Sequence, residues 1–592
     1  MTSSDIRKLP FSRTAISRWA PSDHRNSNWP VVYILDGKND PKRRGRDGAK
    51  REVYVGESLN VAARMRQHFE SIDKSRLSSL RKIVDDTFNK SVCLDLESYL
   101  IRMLAGDGSY EVLNRNDGIV DADYFDRERY RASFREIFER LKLDGVFTRG
   151  IHEIENSDLF KLSPFKSLTS EQAIAVDGVL RGLFADLASG NSSTTVLQGD
   201  PGTGKTVVAI YLLKLIVDIQ SSTFLEELDS DSFFSDFFTD AHRDALKGLN
   251  IGMVVPQQSL RESIKRVFRK TPGLHPEMVM TAFDVGQSPV DFDLLIVDEA
   301  HRLNQRANQS SGVLNKKFGD INVQLYGVDD TSMTQLDWIR AKSRHQIFLL
   351  DAAQSVRPAD LPTAILNDLV AGAKTSERLY PLASQMRVRA GDDYIEYVRS
   401  MLRAGPAERP SVAVSPQSFG DYDLRLFDDI RHMRAEIEQR DFEVGLSRMV
   451  AGFAWKWKSK RDRSAFDIEI DGLELRWNST QVDWIASRES LSEVGSIHTV
   501  QGYDLNYAGV IIGPDLRWDE DAQRIAVNRS SYFDKKGKED NRALGVTYGD
   551  EDLLRYVQNI YAVLLTRGIR GTYVYVVDPA LRAHLARFIP AG

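Results

Sequence analysis

"TTVLQGDPGTGKTVVAIYLLKLIV", residues 194–217, decides how the 592-residue chain is read. A β-branched run ends in a glycine-rich loop, and a long apolar helix follows. Gly199, Gly204, Lys205 and Thr206 fit G-x-x-x-x-G-K-[ST], with Gly202 inside the loop. Glycines let backbone N–H groups turn inward around phosphate oxygens, and the helix start adds the positive end of its dipole. Lys205 is placed to reach the β- and γ-phosphates and Thr206 to reach Mg²⁺. ATP and Mg²⁺ are therefore the expected cofactors.

Working outward, "DLLIVDEAHRL" (293–303) delivers Asp298 and Glu299 to the end of an apolar run. Asp298 is expected to hold the Mg²⁺ and Glu299 to activate the attacking water. The runs "TTVLQG", "IGMVVP", "DLLIVDE" and "HQIFLLD" alternate with helical stretches. After about residue 375 the alternation resumes with "SRMVAGFAW", "GSIHTV", "YAGVIIG" and "TYVYVVD". All-apolar strands between helices predict parallel sheets buried on both faces.

Bulk properties set the frame. About 150 residues per domain gives three or four domains for this length. Hydrophobic residues make 42% and charged residues 28%, ordinary for a globular chain. The net charge of −6 requires any nucleic-acid surface to be a local patch. One cysteine, Cys93, excludes an internal disulfide and a multi-cysteine zinc site. The first residues contain no apolar signal core and no run is long enough to span a bilayer, so no membrane association and a cytoplasmic location are expected.

The series beyond the phosphate loop resembles superfamily 1 helicases over about 166–580. "LTSEQ" resembles the motif that begins the series, and the resemblance gives Gln172 the adenine. "MVVPQQSLRESI" resembles motif Ia and "TAFDV" motif Ib. "IFLLDAAQ" resembles motif III, with Asp351 and Gln354 linking γ-phosphate to DNA. "LASQMRVRAGDDYIEYV" resembles motif IV, with Gln385 and Arg387. "GSIHTVQGYDLNYAGVIIG" resembles motif V, with Thr499, Gln501 and Gly502. "YAVLLTRGIRG" resembles motif VI, with Arg567 and Arg570. Asp504 stands where the motif V acid is more often Glu. "AGFAWKW" (451–457) resembles the Schlafen-type helicase subset. Arg387 and Arg567 come from sequence beyond the first sheet, so their closing onto ATP would couple hydrolysis to cleft motion.

The front of the chain is different. "VVYIL" and "EVYV" flank a turn-rich loop carrying Lys38, Lys42, Arg43, Arg44, Arg46, Lys50 and Arg51, which reads as a hairpin with a positive arm. The helix "NVAARMRQHF" follows. Together they resemble the GIY-YIG nuclease family, whose domain is found in an excinuclease component and in certain homing endonucleases, over about 30–118. Tyr33, Tyr54 and Gly56 match the two strand motifs, Arg64 lies ten residues after Tyr54, and His68 is one turn further on. "VCLDLESYLIRML" carries Glu97 on a stripe with Leu94, Leu100, Ile101 and Leu104, and Asn114 follows. Val32 replaces the glycine at the head of the first motif. The resemblance implies Tyr33 as base or water-positioning group, with Tyr54 close by, Arg64 on the phosphate, and Glu97 holding a divalent metal.

The expected class is thus α/β: a small α+β GIY-YIG domain at 1–120, a helical connector at 121–165, and two RecA-like parallel-sheet domains at 166–375 and 376–592. The implied activity is an ATP-dependent translocase or helicase carrying a metal-dependent endonuclease, with DNA favoured over RNA, in defence or repair. A front domain that only binds DNA, and an ATP-gated RNA nuclease, are the alternatives. An acidic, phenylalanine-rich insert at 222–244 is expected to pack its own aromatics, with docking of a protein partner as the sharper reading.

Overall fold

The computed structural model describes residues 4–592 except 38–43, 46–47, 50, 72–73, 115–123, 223–232, 307–308, 310–311, 352–356, 383–391, 404–415, 481–483, 501–503 and 542–543, and except the side chains of 44–45, 48–49, 392, 486 and 498. The chain forms two compact, discontinuous units: Met1–Ser189 with Val207–Gly248 and Ile264–Met278, and Gly190–Thr206 with Leu249–Ser263 and Val279–Gly592.

In the first unit a five-stranded sheet has β1 (Asp5–Pro10), β2 (Val31–Asp36), β3 (Arg51–Ser58), β4 (Ser79–Val84) and β5 (Tyr110–Val112), in the order β1-β4-β2-β3-β5. Only the β3–β5 edge is parallel. The central strand β2 is fully covered because it alternates between two cores. Val32 and Ile34 pack with the helix α2 (Lys90–Asp107), while Val31, Tyr33 and Leu35 pack with Val61 and Met65 of α1 (Val61–His68). Asn60 caps α1, accepting the Ala63 N–H at 2.9 Å, and Asn89 caps α2, accepting that of Val92 at 3.0 Å. The predicted hairpin forms, as β2 and β3 pair antiparallel. Most of its basic arm lies outside the described residues. A charged helix, Arg127–Leu143, occupies much of the expected connector and buries Phe134, Ile137, Phe138 and Leu141 against the α2 core.

The described part of the insert packs its aromatics on one another and on Phe184 and Tyr211, which lie outside it. Phe234 and Phe237 are buried, with Phe237 stacked on Phe184 at 5.9 Å and His242 on Phe184 at 4.0 Å. Phe233 is exposed, and Phe224 lies outside the described residues.

The second unit holds two sheets. The first joins β6 (Ser193–Gly199), β7 (Ile251–Val254), β8 (Val279–Met280), β9 (Phe292–Val297), β10 (Ser343–Leu350) and β11 (Leu379–Leu382) in the order β8-β7-β9-β10-β6-β11. All its pairs are parallel. The second joins β12 (Asp423–Phe427), β13 (Ser447–Ala451), β16 (Val494–Ser496), β17 (Leu505–Ile512) and β18 (Gly568–Val576), again parallel, in the order β12-β18-β17-β13-β16. The short antiparallel hairpin β14 (Ile468–Ile470) and β15 (Leu473–Leu475) is inserted after β13. Helices α3 (Asp392–Arg403) and α5 (Asp550–Leu565) lie in the core on one face of this sheet, and α4 (Ile430–Val444) in the core on the other. The alternation of apolar runs with helices is what forces this doubly covered arrangement. Among the described residues no helix is long and apolar enough to cross a membrane.

Candidate functional site

Two constellations stand out, one in each unit. In the second, β6 ends at Gly199 and the phosphate loop follows. Gly202 and Gly204 adopt φ of +91° and +78°, a left-handed backbone that a side chain would strain. Lys205 is nearly buried, and its Nζ donates to the carbonyls of Gly199 at 2.7 Å and Asp200 at 2.8 Å. It thus rests on the loop's own oxygens, in position to transfer its hydrogen bonds to a phosphate.

Thr206 Oγ1 donates to Asp298 Oδ2 at 2.7 Å, so the two oxygens assigned to Mg²⁺ already converge. A hard cation takes such ligands. Asp298 is fully buried; burial, then the neighbouring Glu299 charge, raise its pKa to about 7. Glu299 sits at φ +49°, a strained conformation for a non-glycine residue. Burial acts to raise its pKa, but the His301 contact and the charges of Lys205 and Arg302 outweigh this and hold it ionised.

His301 is the residue that sequence reasoning missed. Its Nε2 lies 3.0 Å from Glu299 Oε2, and its Nδ1 accepts the backbone N–H of Asp351 at 3.3 Å. An accepting Nδ1 puts the ring proton on Nε2, beside Glu299, although neither that nitrogen nor Glu299 Oε2 completes a hydrogen bond among the described residues. The histidine therefore connects the second motif to the third through one ring. Its position two residues after Glu299 was the only available signal. Arg302 beside it is also buried, which lowers its pKa to about 10.

On the second sheet, Arg567 is buried at the turn into β18, its carbonyl accepting the Leu505 N–H at 3.1 Å. Tyr394 donates to Leu565 O at 2.9 Å and Tyr422 pairs with Thr572 Oγ1 at 2.7 Å, fixing that turn. Arg570 is half-buried within β18. Thr499 is buried and pairs with Ser496 Oγ at 2.9 Å. A further contact was not foreseen: Arg399 of α3 donates to Asp200 Oδ1 at 3.0 Å, and Arg399, Ile395, Thr566 and Pro201 line one small cleft. Gln354, Gln385, Arg387, Gln501 and Gly502 lie outside the described residues. Gln172 belongs to the first unit, where it is buried and its Oε1 accepts the Thr169 N–H at 3.1 Å.

In the first unit Tyr33 is wholly buried and its hydroxyl is 2.7 Å from His68 Nε2. Tyr33 faces Gly56 across the β2–β3 ladder, and a Cβ at that glycine would collide with the tyrosine ring and hydroxyl. The glycine is there to admit the ring. Tyr54 completes the group, its ring edge-on to His68 at 5.1 Å and under Lys74 Nζ at 3.9 Å. Burial, then Lys74 and Arg64, depress His68 to about 2, so the ring that meets the Tyr33 hydroxyl is neutral. Burial, then Tyr54, push the Tyr33 phenol well up, and Glu97 adds to that push while Arg64 opposes it. Tyr33 is thus a neutral hydroxyl, not a standing base.

Two expected site residues take other places. Asn114 is nearly buried and uses both amide atoms on Val55, accepting its N–H at 3.1 Å and donating to its carbonyl at 2.8 Å. It holds β3 between Tyr54 and Gly56 and acts by positioning. On the Glu97 stripe, Leu100, Ile101 and Leu104 are buried, but Leu94 is exposed, so the stripe is narrower than expected. Glu97 is half-buried. Burial raises the Cys93 thiol, and the charges of Glu57 and Glu97 add to the shift. Among the described residues no group of three or more His, Cys, Asp or Glu is arranged to hold a metal. A metal at Glu97 would rely on that carboxylate with water and substrate oxygens.

Residues 192–578 match the family model described as the Schlafen group 3, DNA/RNA helicase domain. Over 452 residues the chain is 25% identical to the uncharacterized protein YPL245W of Saccharomyces cerevisiae, covering 71% of this chain and 91% of that protein. It is 23% identical over 295 residues to the ATP-dependent DNA helicase RecG of Streptococcus pneumoniae, covering 46% of this chain and 41% of that protein. A crystal structure of Bacteroides Pif1 bound to single-stranded DNA aligns at 11% identity over 67% of this chain and 91% of that one, with a TM-score of 0.24, too low to bear on the fold.

Proposed function

The chain belongs to the Schlafen group 3 helicase-domain family, and from that premise we propose that it is an ATP-driven nucleic-acid translocase whose front domain, 1–120, is a metal-dependent endonuclease. The observation that carries the motor reading is the succession of contacts Thr206–Asp298, then Glu299–His301–Asp351. Thr206 and Asp298 are the residues to hold Mg²⁺, which when bound neutralises developing phosphate charge. Glu299, kept ionised by His301, takes the proton of the attacking water. Lys205 moves from the loop carbonyls to the γ-phosphate. Arg567, Arg570, Gln354, Gly502 and Arg387 keep their motif roles in this reading, and Gln172 keeps the adenine. The functional segmentation at 165 and 375 belongs to it as well.

The nuclease reading rests on the Tyr33–His68 hydrogen bond, with the charges of Arg64 and Glu97 both acting on the same hydroxyl. Tyr33 would orient the water through its hydroxyl, with His68 positioning that hydroxyl, Arg64 would hold the phosphate, and Glu97 would hold the divalent ion. DNA is favoured because the named RecG relative is a DNA helicase. A role in defence or repair would suit such a fusion.

Cleavage of plasmid and forked DNA with Mg²⁺, with and without ATP, tests both halves. Wild type should cleave, Glu97→Ala should not, and Lys205→Ala should lose ATP hydrolysis. Metal-dependent cleavage that survives Glu97→Ala removes the nuclease assignment. ATP hydrolysis stimulated by neither single-stranded DNA nor RNA removes the motor.

A further inference from the structure

The loop between β13 and the β14–β15 hairpin, "GFAWKWKSKRDRSAFD" (452–467), takes no part in the ATP chemistry. Lys456, Lys458, Lys460, Arg461 and Arg463 are all exposed, against the single exposed acid Asp462. None of the five cations forms an ion pair among the described residues, whereas many other basic side chains of the unit do. In a chain of net charge −6 this is a concentrated positive patch.

The patch is held rigidly. Asp467 is buried, and its carboxylate accepts the N–H groups of Lys458 at 2.5 Å, Ser459 at 2.8 Å and Trp477 at 2.9 Å, and the Ser459 hydroxyl at 2.5 Å. Arg476 pins the far side, donating to the carbonyls of Ala465 at 3.2 Å and Ser464 at 3.0 Å while stacking on the exposed Phe466 ring at 4.1 Å. A merely solvated loop would not use a buried carboxylate and a guanidinium to fix its backbone.

Aromatics underlie the charges. Phe453 stacks on the buried Trp477 at 5.5 Å, Trp457 packs on it at 6.2 Å, and Lys460 Nζ lies 5.6 Å from the Trp457 ring. Trp455 and Trp457 stay half-buried, with part of each ring open. The platform is also joined to motif V. Trp477 bridges Val494 of β16, the Ser496 N–H donates to Asn478 Oδ1 at 3.2 Å, and β16 runs directly into the turn carrying Thr499.

Fixed, unpaired cations interleaved with aromatic faces are the recognition chemistry of a single nucleic-acid strand: cations on phosphates, rings on bases. We infer that residues 453–466 form a single-strand-binding platform, an accessory contact that grips the strand outside the nucleotide cleft. The inference rests on the nucleic-acid reading above and adds the surface that reading leaves unassigned.

The test is equilibrium binding of a fluorescent single-stranded oligonucleotide to the full chain, without nucleotide, across a salt series. Lys456→Gln/Lys458→Gln/Lys460→Gln should weaken binding at least about tenfold and flatten the log–log salt slope by about 2, from about 0.7 per lost phosphate contact. A control with the same charge change at exposed positions elsewhere, Lys247→Gln/Lys316→Gln/Lys374→Gln, should stay within about twofold of wild type. Phe466→Ala should weaken binding with the salt slope unchanged, as lost stacking does. Unstimulated ATP hydrolysis should be the same in all three. Patch and control variants that match each other overturn the platform, as does a loss confined to blunt duplex or to anionic vesicles. The motor reading fails separately, through absent strand-stimulated ATP hydrolysis in the wild type.

Discussion

The nucleotide site and the Tyr33 site are built on opposite principles. Around the phosphate loop, charged groups are buried and paired: Lys205 with two carbonyls, Thr206 with Asp298, Glu299 with His301. Around Tyr33, rings pack on rings, and the titratable groups at the centre are kept neutral by burial. The first site stores charge in place before a ligand arrives. The second keeps charge at its margin, on Arg64, Lys74 and Glu97, and leaves a neutral hydroxyl and imidazole hydrogen-bonded at its centre.

The largest effect should come from breaking the stored charge. Glu299→Gln should lower ATP turnover by about 10²–10⁴-fold, the span for losing a general base, while nucleotide binding persists. Steady-state hydrolysis beside fluorescent-nucleotide binding measures both. His301→Ala should cost less, about 10–100-fold as for other positioning partners. It should also shift the acidic limb of the pH–rate profile upward, since Glu299 loses the contact that keeps it ionised. An unshifted limb would reduce His301 to packing.

At the other site, Tyr33→Phe and His68→Gln should each depress cleavage by a similar factor, about 10²–10⁴-fold. The double variant should be no worse than either alone if the hydrogen-bonded pair acts as one unit. Additive losses would separate them.

Much of the contrast was legible in the sequence, and unequally so. The phosphate loop and the acidic pair are local, so residue spacing fixes their geometry. Tyr33, Tyr54, Arg64 and Glu97 sit on two strands and two helices, and only a family pattern could bring them together. Two features escaped for the same reason. His301 matters through the Asp351 N–H some fifty residues later, and Asn114 clamps a strand rather than facing solvent. Neither partner can be read from spacing. Arg399 carries no signal in the sequence either, because its partner, Asp200, lies far back in the chain.

Smaller effects should appear in stability. Asn114→Ala leaves the Val55 N–H and carbonyl without their partners, at a cost of about 1–3 kcal/mol, measurable by denaturant unfolding. His68 gives a pH signature. Its folded pKa of about 2 lies below its ordinary value near 6.5, so the unfolded chain binds the proton first on acidification. The stability it contributes is complete above that ordinary value and is lost progressively as pH falls below it. His68→Gln should flatten that decline between pH 7 and 5, and an identical decline in the variant would place its origin elsewhere.

Cys93 is buried on α2 with its thiol pushed well up by that burial. The natural chain is therefore almost silent toward maleimide dyes, since attack requires an accessible thiolate. A cysteine introduced at an exposed position such as Lys458 or Lys374 becomes the dominant attachment point, with no background residue to remove. Paired dyes placed this way would report, in one molecule at a time, how the spacing of two parts of the chain changes as ATP turns over.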